Sequence, residues 1–416
     1  MSTTKPFTIA KQQVMAAFKA VKAKAGGAGV DRQSIADFEK DLKNNLYKLW
    51  NRLCSGTYFP PPVKAVAIAK KSGGERILGV PTVADRVAQM VIKLSFEPEV
   101  EPHFLPDSYG YRPGKSALDA IGVTRERCWR QDWVVEFDVK GLFDNINHDL
   151  LYRAIHKHTQ CSWVRLYLKR WLTAPLQLAD GSLVERTCGT PQGGVVSPVL
   201  SNLFMHYTFD AWMQREHPGV KWCRYADDGL IHCASVAQAQ AMKAALAARL
   251  AACGLELHPE KTKIVYCKDG SRKGSYENTQ FDFLGYTFRA RQVKNRKRNT
   301  LFMNFTPAVS AAALKEMRQT TRQWNFRNRS DWSLTQISRM YNPILRGWLQ
   351  YYGRFYRSAL YPMLRHFNMT LVAWAMRKYR RLKGHKTRAG QFLEGIAKRQ
   401  PGLFIHWQQG MVGAFA

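Results

Sequence analysis

The chain has 416 residues, 45% of them hydrophobic, a share that suits roughly three globular domains with real cores. Lys and Arg number 63 against 31 Asp and Glu, giving a formal charge of +32 that calls for a polyanionic partner, nucleic acid first, because each phosphate neutralised releases counterions. An anionic membrane is the rival, but no run approaches the roughly 18 apolar residues of a spanning helix, and MSTTKPFTIAKQQ lacks the apolar core of a signal peptide.

The eight cysteines form no C-x-x-C pair, so no zinc ribbon is expected; scattered as they are, they read as reduced thiols of a cytoplasmic protein. Residues 8–53 read as helical: Phe38, Leu42, Leu46, Leu49 and Leu53 recur at helical spacing, and the Gly-rich run 25–29 breaks the helix in two. Val63–Ile68 and Arg76–Val80 pair as a hairpin around Ser72-Gly73-Gly74. Residues 82–95 return to helical spacing. Trp133–Asp138 is a strand and 147–158 a helix. Residues 197–213 form a helix with Ser197 as N-cap and Pro198 in its first turn. Val220–Tyr225 and Leu230–Cys233 are strands of a hairpin, 236–252 is an amphipathic helix, and Phe281–Phe288 is a strand. A basic loop follows, with Arg289, Arg291, Lys294, Arg296, Lys297 and Arg298. Beyond Thr306 the chain is helical and rich in Trp, Tyr and Arg. This order predicts an α+β fold with helices packed on an antiparallel sheet.

Asp138 ends an apolar strand, and Asp227 and Asp228 lie between two others. Strand ends and hairpin turns hold side chains rigidly, as a metal site requires. Hard cations such as Mg²⁺ take carboxylates together with substrate phosphates. Three carboxylates at one sheet edge could hold two such ions about 3.5–4 Å apart. Taken alone, Asp228-Gly229 is also a plain hairpin-turn signal, and Asp138 could be a loop cap.

The residues around these carboxylates carry a resemblance. Phe137-Asp-Val-Lys-Gly-Leu-Phe-Asp-Asn-Ile146 resembles the first catalytic motif of group II intron reverse transcriptases. Gly189-Thr-Pro-Gln-Gly-Gly-Val-Val-Ser-Pro198 is similar to their second palm motif, and Arg224-Tyr-Ala-Asp-Asp228 to their Tyr-x-Asp-Asp signature. Phe283-Leu-Gly-Tyr286 is similar to the motif that follows. Gly73–Pro81 and Asp107–Lys115 extend the likeness upstream, and Leu345–Gly353 resembles the maturase thumb. All stand in the family's order and together span nearly the whole chain.

The resemblance implies a right-hand polymerase: an N-terminal helical extension (1–60), fingers (61–125), a palm with an antiparallel sheet (126–305), a helical thumb (306–376) and a small basic DNA-binding region (377–416). It implies an RNA-directed DNA polymerase that also binds group II intron RNA as a splicing maturase and supports retrohoming. Two Mg²⁺ ions would sit at Asp138, Val139, Asp227 and Asp228, with Asp228 less directly bound. Phe143 would exclude a ribose 2′-hydroxyl, and Gln192 would lie by the nascent base pair. Lys70 and Arg76 would hold the deoxynucleoside triphosphate, a point charge and a planar fork. Partners would be intron RNA, an RNA template with a DNA primer, and target DNA; Arg112, Lys115, Arg296, Lys297, Arg298, Arg377, Lys378, Arg380 and Arg381 are the contact candidates. The paired cysteines and HNH-type site of many relatives are not found, so the likeness is to the compact, endonuclease-lacking, group IIC-like kind.

Two other functions fit the same residues: a reverse transcriptase domesticated for DNA repair or phage defence, and a maturase reduced to RNA binding. Gly110–Ser116 resembles a phosphate-binding loop but is one residue too short between its glycines. His148 and Asp149 read as a solvated residue and a helix-terminus residue. Trp324, Phe326, Trp332, Tyr341, Trp348, Tyr351, Tyr352, Phe355, Tyr356 and Trp374 alternate with arginines and either stack on unpaired bases or form helix core; Leu345, Trp348, Leu349 and Tyr352 keep helical spacing and are assigned to packing first.

Overall fold

A computed structural model describes residues 5–69, 74–295, 298–412 and 415. In chain order the elements are α1 (Lys11–Lys24), α2 (Ile35–Lys40), α3 (Leu42–Cys54), β1 (Val63–Ala69), β2 (Glu75–Val80), α4 (Val83–Val100), α5 (Ala117–Arg130) and β3 (Trp133–Asp138). Then come α6 (Leu142–Asn145), α7 (His148–His158), α8 (Ser162–Leu172), β4 (Leu176–Gln177), β5 (Leu183–Val184), α9 (Ser197–Met205), a π-helical turn (His206–Asp210) and α10 (Ala211–Glu216). The remainder is β6 (Lys221–Tyr225), β7 (Asp228–Cys233), α11 (Val236–Ala252), β8 (Lys263–Tyr266), β9 (Gln280–Phe283), β10 (Tyr286–Asn295), β11 (Thr300–Val309), α12 (Ala311–Gln323), α13 (Leu334–Tyr352), α14 (Tyr361–Lys378) and α15 (Lys386–Arg399). The fold is α+β, as the order of periodicities predicts.

The chain forms two compact units. One holds the residues up to Ala120 with Val135–Ile264; the other holds Ile121–Val134 with the chain from Val265 onward. In the first, β1 and β2 pair antiparallel with Lys64 opposite Val80. The central sheet runs β6-β7-β3-β8. β3 lies between β7 and β8 and is buried nearly throughout, as an interior strand is. Thr82 caps α4 by accepting from the Asp85 N–H, and Ser235 caps α11 in the same way.

In the second unit, β9, β10 and β11 form an antiparallel sheet in the order β11-β10-β9. Helices α12 to α15 bury one core around Phe326, Leu345, Phe367, Trp374 and Trp407. The stretch beyond Arg377 shares it through Leu382, Leu393 and Phe404. Trp324 lies flat on Tyr341 (4.3 Å) and Trp348 (5.5 Å), so these rings are helix packing.

Several local expectations are corrected. Ser197 does not cap α9: Val196 holds that position, and the Ser197 hydroxyl is buried, accepting from the Thr190 hydroxyl. The strand expected over 281–288 is two strands, because Leu284 and Gly285 both take positive φ and make a tight turn. Arg289, Arg291 and Lys294 lie on β10, not in a loop, since β11 pairs with it along its length. His148 is buried rather than solvated, with Nε2 2.7 Å from the Gly189 carbonyl oxygen, and Asn147 caps its helix. No disulfide joins any of the eight cysteines, and among the described residues no helix is long and apolar enough to cross a membrane.

Candidate functional site

The site is built where β3 ends. Asp138 is its last residue, and the next residue, Val139, donates its N–H to the Asp227 carbonyl at 3.3 Å. On the other side, the Asp138 carbonyl accepts from His258 N–H at 2.8 Å, and Lys140 N–H donates to the Glu256 carbonyl. The strand end is therefore clamped on both flanks. Tyr225 pairs with Asp228, so the turn joining β6 and β7 is Ala226–Asp227, with Ala226 at φ 58°. The Asp228-Gly229 turn signal is thus displaced: Asp228 opens β7 and Gly229 lies within it. Gly229 is required there by close approach, since a Cβ would fall 2.2 Å from the Phe137 ring. Phe137 in turn packs on Phe209 at 5.0 Å.

Arg224, absent from the expected site, organises this turn. It is wholly buried; its guanidinium grips Asp210 in two bonds and donates to Asn202, Ser108 and the Ala226 carbonyl. The segment before Gly110 also braces the turn, with Tyr109 N–H donating to the Arg224 carbonyl at 2.9 Å.

Electrostatically the three carboxylates act on one another. Desolvation in the crowded cleft raises Asp227, and Asp138 raises it further; Arg76 and Lys261 oppose this. Asp228 opens to solvent at one side, yet the protein mass around it, then Asp227 and Asp138, push its carboxyl up to about 7. Tyr111, first raised by burial, also senses both Asp227 and Asp228. Lys261 places its ammonium on the Asp138 carboxylate. It too was missed, being one more lysine of a basic chain in the loop between α11 and β8.

Among the described residues no group of three or more His, Cys, Asp or Glu side chains stands assembled as a metal cage. The donor set nonetheless suits a hard cation: three carboxylates repel one another, and the site already sets the Lys261 ammonium against one of them.

Around the carboxylates, Phe143 is half-buried on α6. Its carbonyl accepts from Thr190 N–H at 2.6 Å, and Gly189 N–H donates to the Ile146 carbonyl at 2.8 Å. Gly189 has φ 76°, and a Cβ there would meet the Phe143 and Asp144 carbonyls at 2.6 Å, so only glycine fits. The Gln192 carbonyl accepts from Gly79 N–H on β2, the strand that carries exposed Arg76. Behind this loop, Gln89 accepts from Val195 N–H at 2.7 Å and donates to buried Asp85, which Tyr58 and Trp171 also bond. Sequence reading took residues 82–95 only as a helix; the polar set Asp85 and Gln89 on its buried face was the available signal.

Lys70, Arg296 and Lys297 lie outside the described residues. Arg112 is committed internally, paired with Glu101 and donating to the Leu105 and Ser108 carbonyls, which fixes its own loop. Lys115 donates to the Pro106 carbonyl. In the second unit, Lys378 donates to the Ser330 carbonyl, Arg377 to the Ala373 carbonyl, and Arg381 lies over the Phe392 ring; Arg298 and Arg380 are exposed.

Residues 68–288, more than half the chain, match the family described as reverse transcriptase (RNA-dependent DNA polymerase), and the chain belongs to that family. Residues 314–391 match the group II intron, maturase-specific domain, which makes it a reverse transcriptase–maturase of the group II intron kind. Protein YkfC of Escherichia coli is 31% identical over 309 residues, 65% of this chain and 77% of that protein. The group II intron-encoded protein LtrA of Lactococcus lactis is 33% identical over 181 residues, 43% of this chain but only 30% of LtrA. A 91 kDa protein in the cob intron of Schizosaccharomyces pombe is 24% identical across 97% of this chain and 56% of its own length. A telomerase structure from Candida albicans covers 92% of this chain and 69% of its own at a TM-score of 0.47 and 10% identity.

Proposed function

We propose that this protein copies RNA into DNA by two-metal chemistry, and that it also binds group II intron RNA to promote splicing and retrohoming. The observation that carries the reading is the meeting of Asp138 with the Ala226–Asp227 turn and Asp228 at one end of the central sheet. Asp138, the Val139 backbone, Asp227 and Asp228 are the groups that would hold two Mg²⁺ ions. When bound, such ions lower the pKa of an attacking primer hydroxyl and stabilise a leaving pyrophosphate.

The protein's own groups then position the reactants, which is most of what phosphoryl transfer demands. Arg76, with Lys70, grips the triphosphate of an incoming deoxynucleotide. Phe143 clashes with a 2′-hydroxyl, and Gln192 lines the nascent base pair. Lys261 orients Asp138 and offsets its charge. The template is RNA, the primer DNA, and target DNA supplies the primer end during mobility. Residues 61–125 serve as fingers, 126–305 as palm and 306–376 as thumb, with 1–60 as an N-terminal helical extension and 377–416 as a basic DNA-binding region, in the cytoplasm.

Promotion of splicing is separate physics: a basic surface favours the active RNA shape only by its greater affinity for that shape. The test is primer extension on an RNA template with Mg²⁺, beside binding of group II intron RNA. Wild type should extend and bind, whereas Asp227→Ala should bind and not extend. Extension by Asp227→Ala would refute the carboxylate assignment; binding without extension by wild type would favour an RNA-binding factor.

A further inference from the structure

The β10–β11 pair carries more than its place in the sheet requires. On β11, Phe305–Val309 are buried, but at the far end of the pair Leu301, Phe302 and Met303 are 61%, 46% and 43% exposed. Three consecutive large apolar side chains are costly to leave in water, and consecutive strand residues alternate faces. The register fixes those faces. Val293 stands opposite Phe302 and Arg289 opposite Thr306, so Phe302 and exposed Arg289 share one face. Lys294 stands opposite Leu301 and Gln292 opposite Met303, so exposed Lys294, Leu301 and Met303 share the other. Among the described residues the Phe302 ring stacks on no other ring. Arg291 is not part of the free surface: it donates to the Thr287 and Thr306 carbonyls and lies 5.6 Å from the Tyr356 ring.

Charge selects the occupant. The chain from Phe283 to Lys315 contains no Asp or Glu, while Arg289, Arg291, Lys294, Arg296, Lys297 and Arg298 crowd into its middle. A second copy docked here would set like charges against each other. A duplex offers phosphates but no bare base face for an exposed ring. An unpaired strand offers both, since aromatic side chains stack on splayed bases while cations meet the backbone.

We infer that the β10–β11 ribbon is a docking surface for unpaired RNA, with Phe302 stacking on a base at its distal end and Arg289, on the same face four residues back along β10 from the partner of Phe302, meeting the phosphates of neighbouring nucleotides. The inference deepens the proposed function by naming the RNA element's chemistry, and it rests on that reading only for the partner being RNA.

The test is photo-crosslinking of the full chain to an unstructured oligoribonucleotide bearing 4-thiouridine, mapped by mass spectrometry. Equilibrium binding of that oligonucleotide and of an RNA duplex is measured for Phe302→Ser, Phe302→Tyr and Arg289→Ser. Crosslinks should fall on the peptide containing Phe302. Phe302→Ser should weaken single-strand binding by about tenfold, the range for one lost stack. Phe302→Tyr should restore it, and duplex binding should not change. Crosslinks confined to other peptides, equal weakening for duplex, or a shift from dimer to monomer on Phe302→Ser would each overturn the inference. Primer extension run in parallel separates the two readings: wild-type crosslinks that miss the Phe302 peptide, with extension intact, sink the ribbon alone, while absent wild-type extension sinks the polymerase alone.

Discussion

Arg224 holds Asp210 through two bonds, of 2.7 and 2.6 Å, with both side chains wholly out of water. A third arm of the same guanidinium reaches the Ala226 carbonyl at 2.9 Å. One buried cation thus ties the π-helical turn ending at Asp210 to the turn that presents Asp227. Breaking such a pair from one side strands a charge and costs about 3–5 kcal/mol. Arg224→Met should cost that much in denaturant melts. Arg224→Met with Asp210→Leu should regain much of the stability, as apolar replacements of buried pairs do, yet extend primers poorly because the Ala226 carbonyl keeps no donor. A double variant with full activity would remove Arg224 from turn positioning.

Gly229→Ala drives a methyl group into the Phe137 ring. Overpacking of this kind costs about 1–3 kcal/mol. Here it also displaces β7 at the point where Asp228 begins it. A lowered melting temperature and reduced extension are expected, both partly recovered by Phe137→Leu. If Phe137→Leu recovers neither, the ring is not what the methyl meets.

Much of this site was legible in the sequence. Trp133–Asp138 is an apolar run ending in a carboxylate, and the structure has a strand with those bounds. The Asp227–Asp228 hairpin was also readable, but its second strand was begun at Leu230, two residues late, because Asp-Gly is a strong local turn signal while Gly229 obeys Phe137 instead. What could not be read depends on distance in three dimensions. Arg224 looked like one more cation of a basic chain until Asp210 was found against it. Lys261 looked the same until Asp138 was. The outer half of β10 was hidden because Arg-rich sequence reads as loop, and β11 went unread after it; only the pairing of the two makes a ribbon.

The Asp228 carboxyl sits at about 7 when folded against 3.8 as its ordinary value. The folded chain therefore holds an extra proton between those values, so this group's contribution to stability is present below about pH 4 and lost as pH rises through 7. Asp228→Asn should accordingly melt higher than wild type at pH 8 without Mg²⁺, and the advantage should vanish near pH 4. Extension should drop by about 10- to 100-fold, the cost of a supporting group beside a metal. An advantage that persists at pH 4 would contradict the linkage.

Phe143→Ala should relax discrimination against ribonucleotides, read as the ratio of kcat/KM for the two sugars. The carbonyl of Phe143 still receives Thr190 N–H in the variant, so the loop should keep its place. Unchanged sugar selectivity would take Phe143 out of that role.

His406 is buried with Nε2 2.7 Å from the Asn368 side-chain oxygen, and burial pulls its pKa down to about 3 from 6.5. The unfolded chain binds the proton first, so stability is lost as pH falls from about 6.5 toward 3. His406→Gln should flatten that part of the acid melting curve. Parallel curves for the two proteins would place the acid sensitivity elsewhere.

Thr190 and Gly189 are sewn to the backbone of Phe143 and Ile146. Positions far apart in the gene therefore behave as one rigid part. On the roles proposed for Phe143 and Gln192, selection for a looser sugar gate cannot shift the α6 backbone without dragging Gln192 along, so choice of sugar and accuracy of copying should drift together across descendants. An engineer wanting one trait without the other would do better to alter the Phe143 ring than the main chain beneath it.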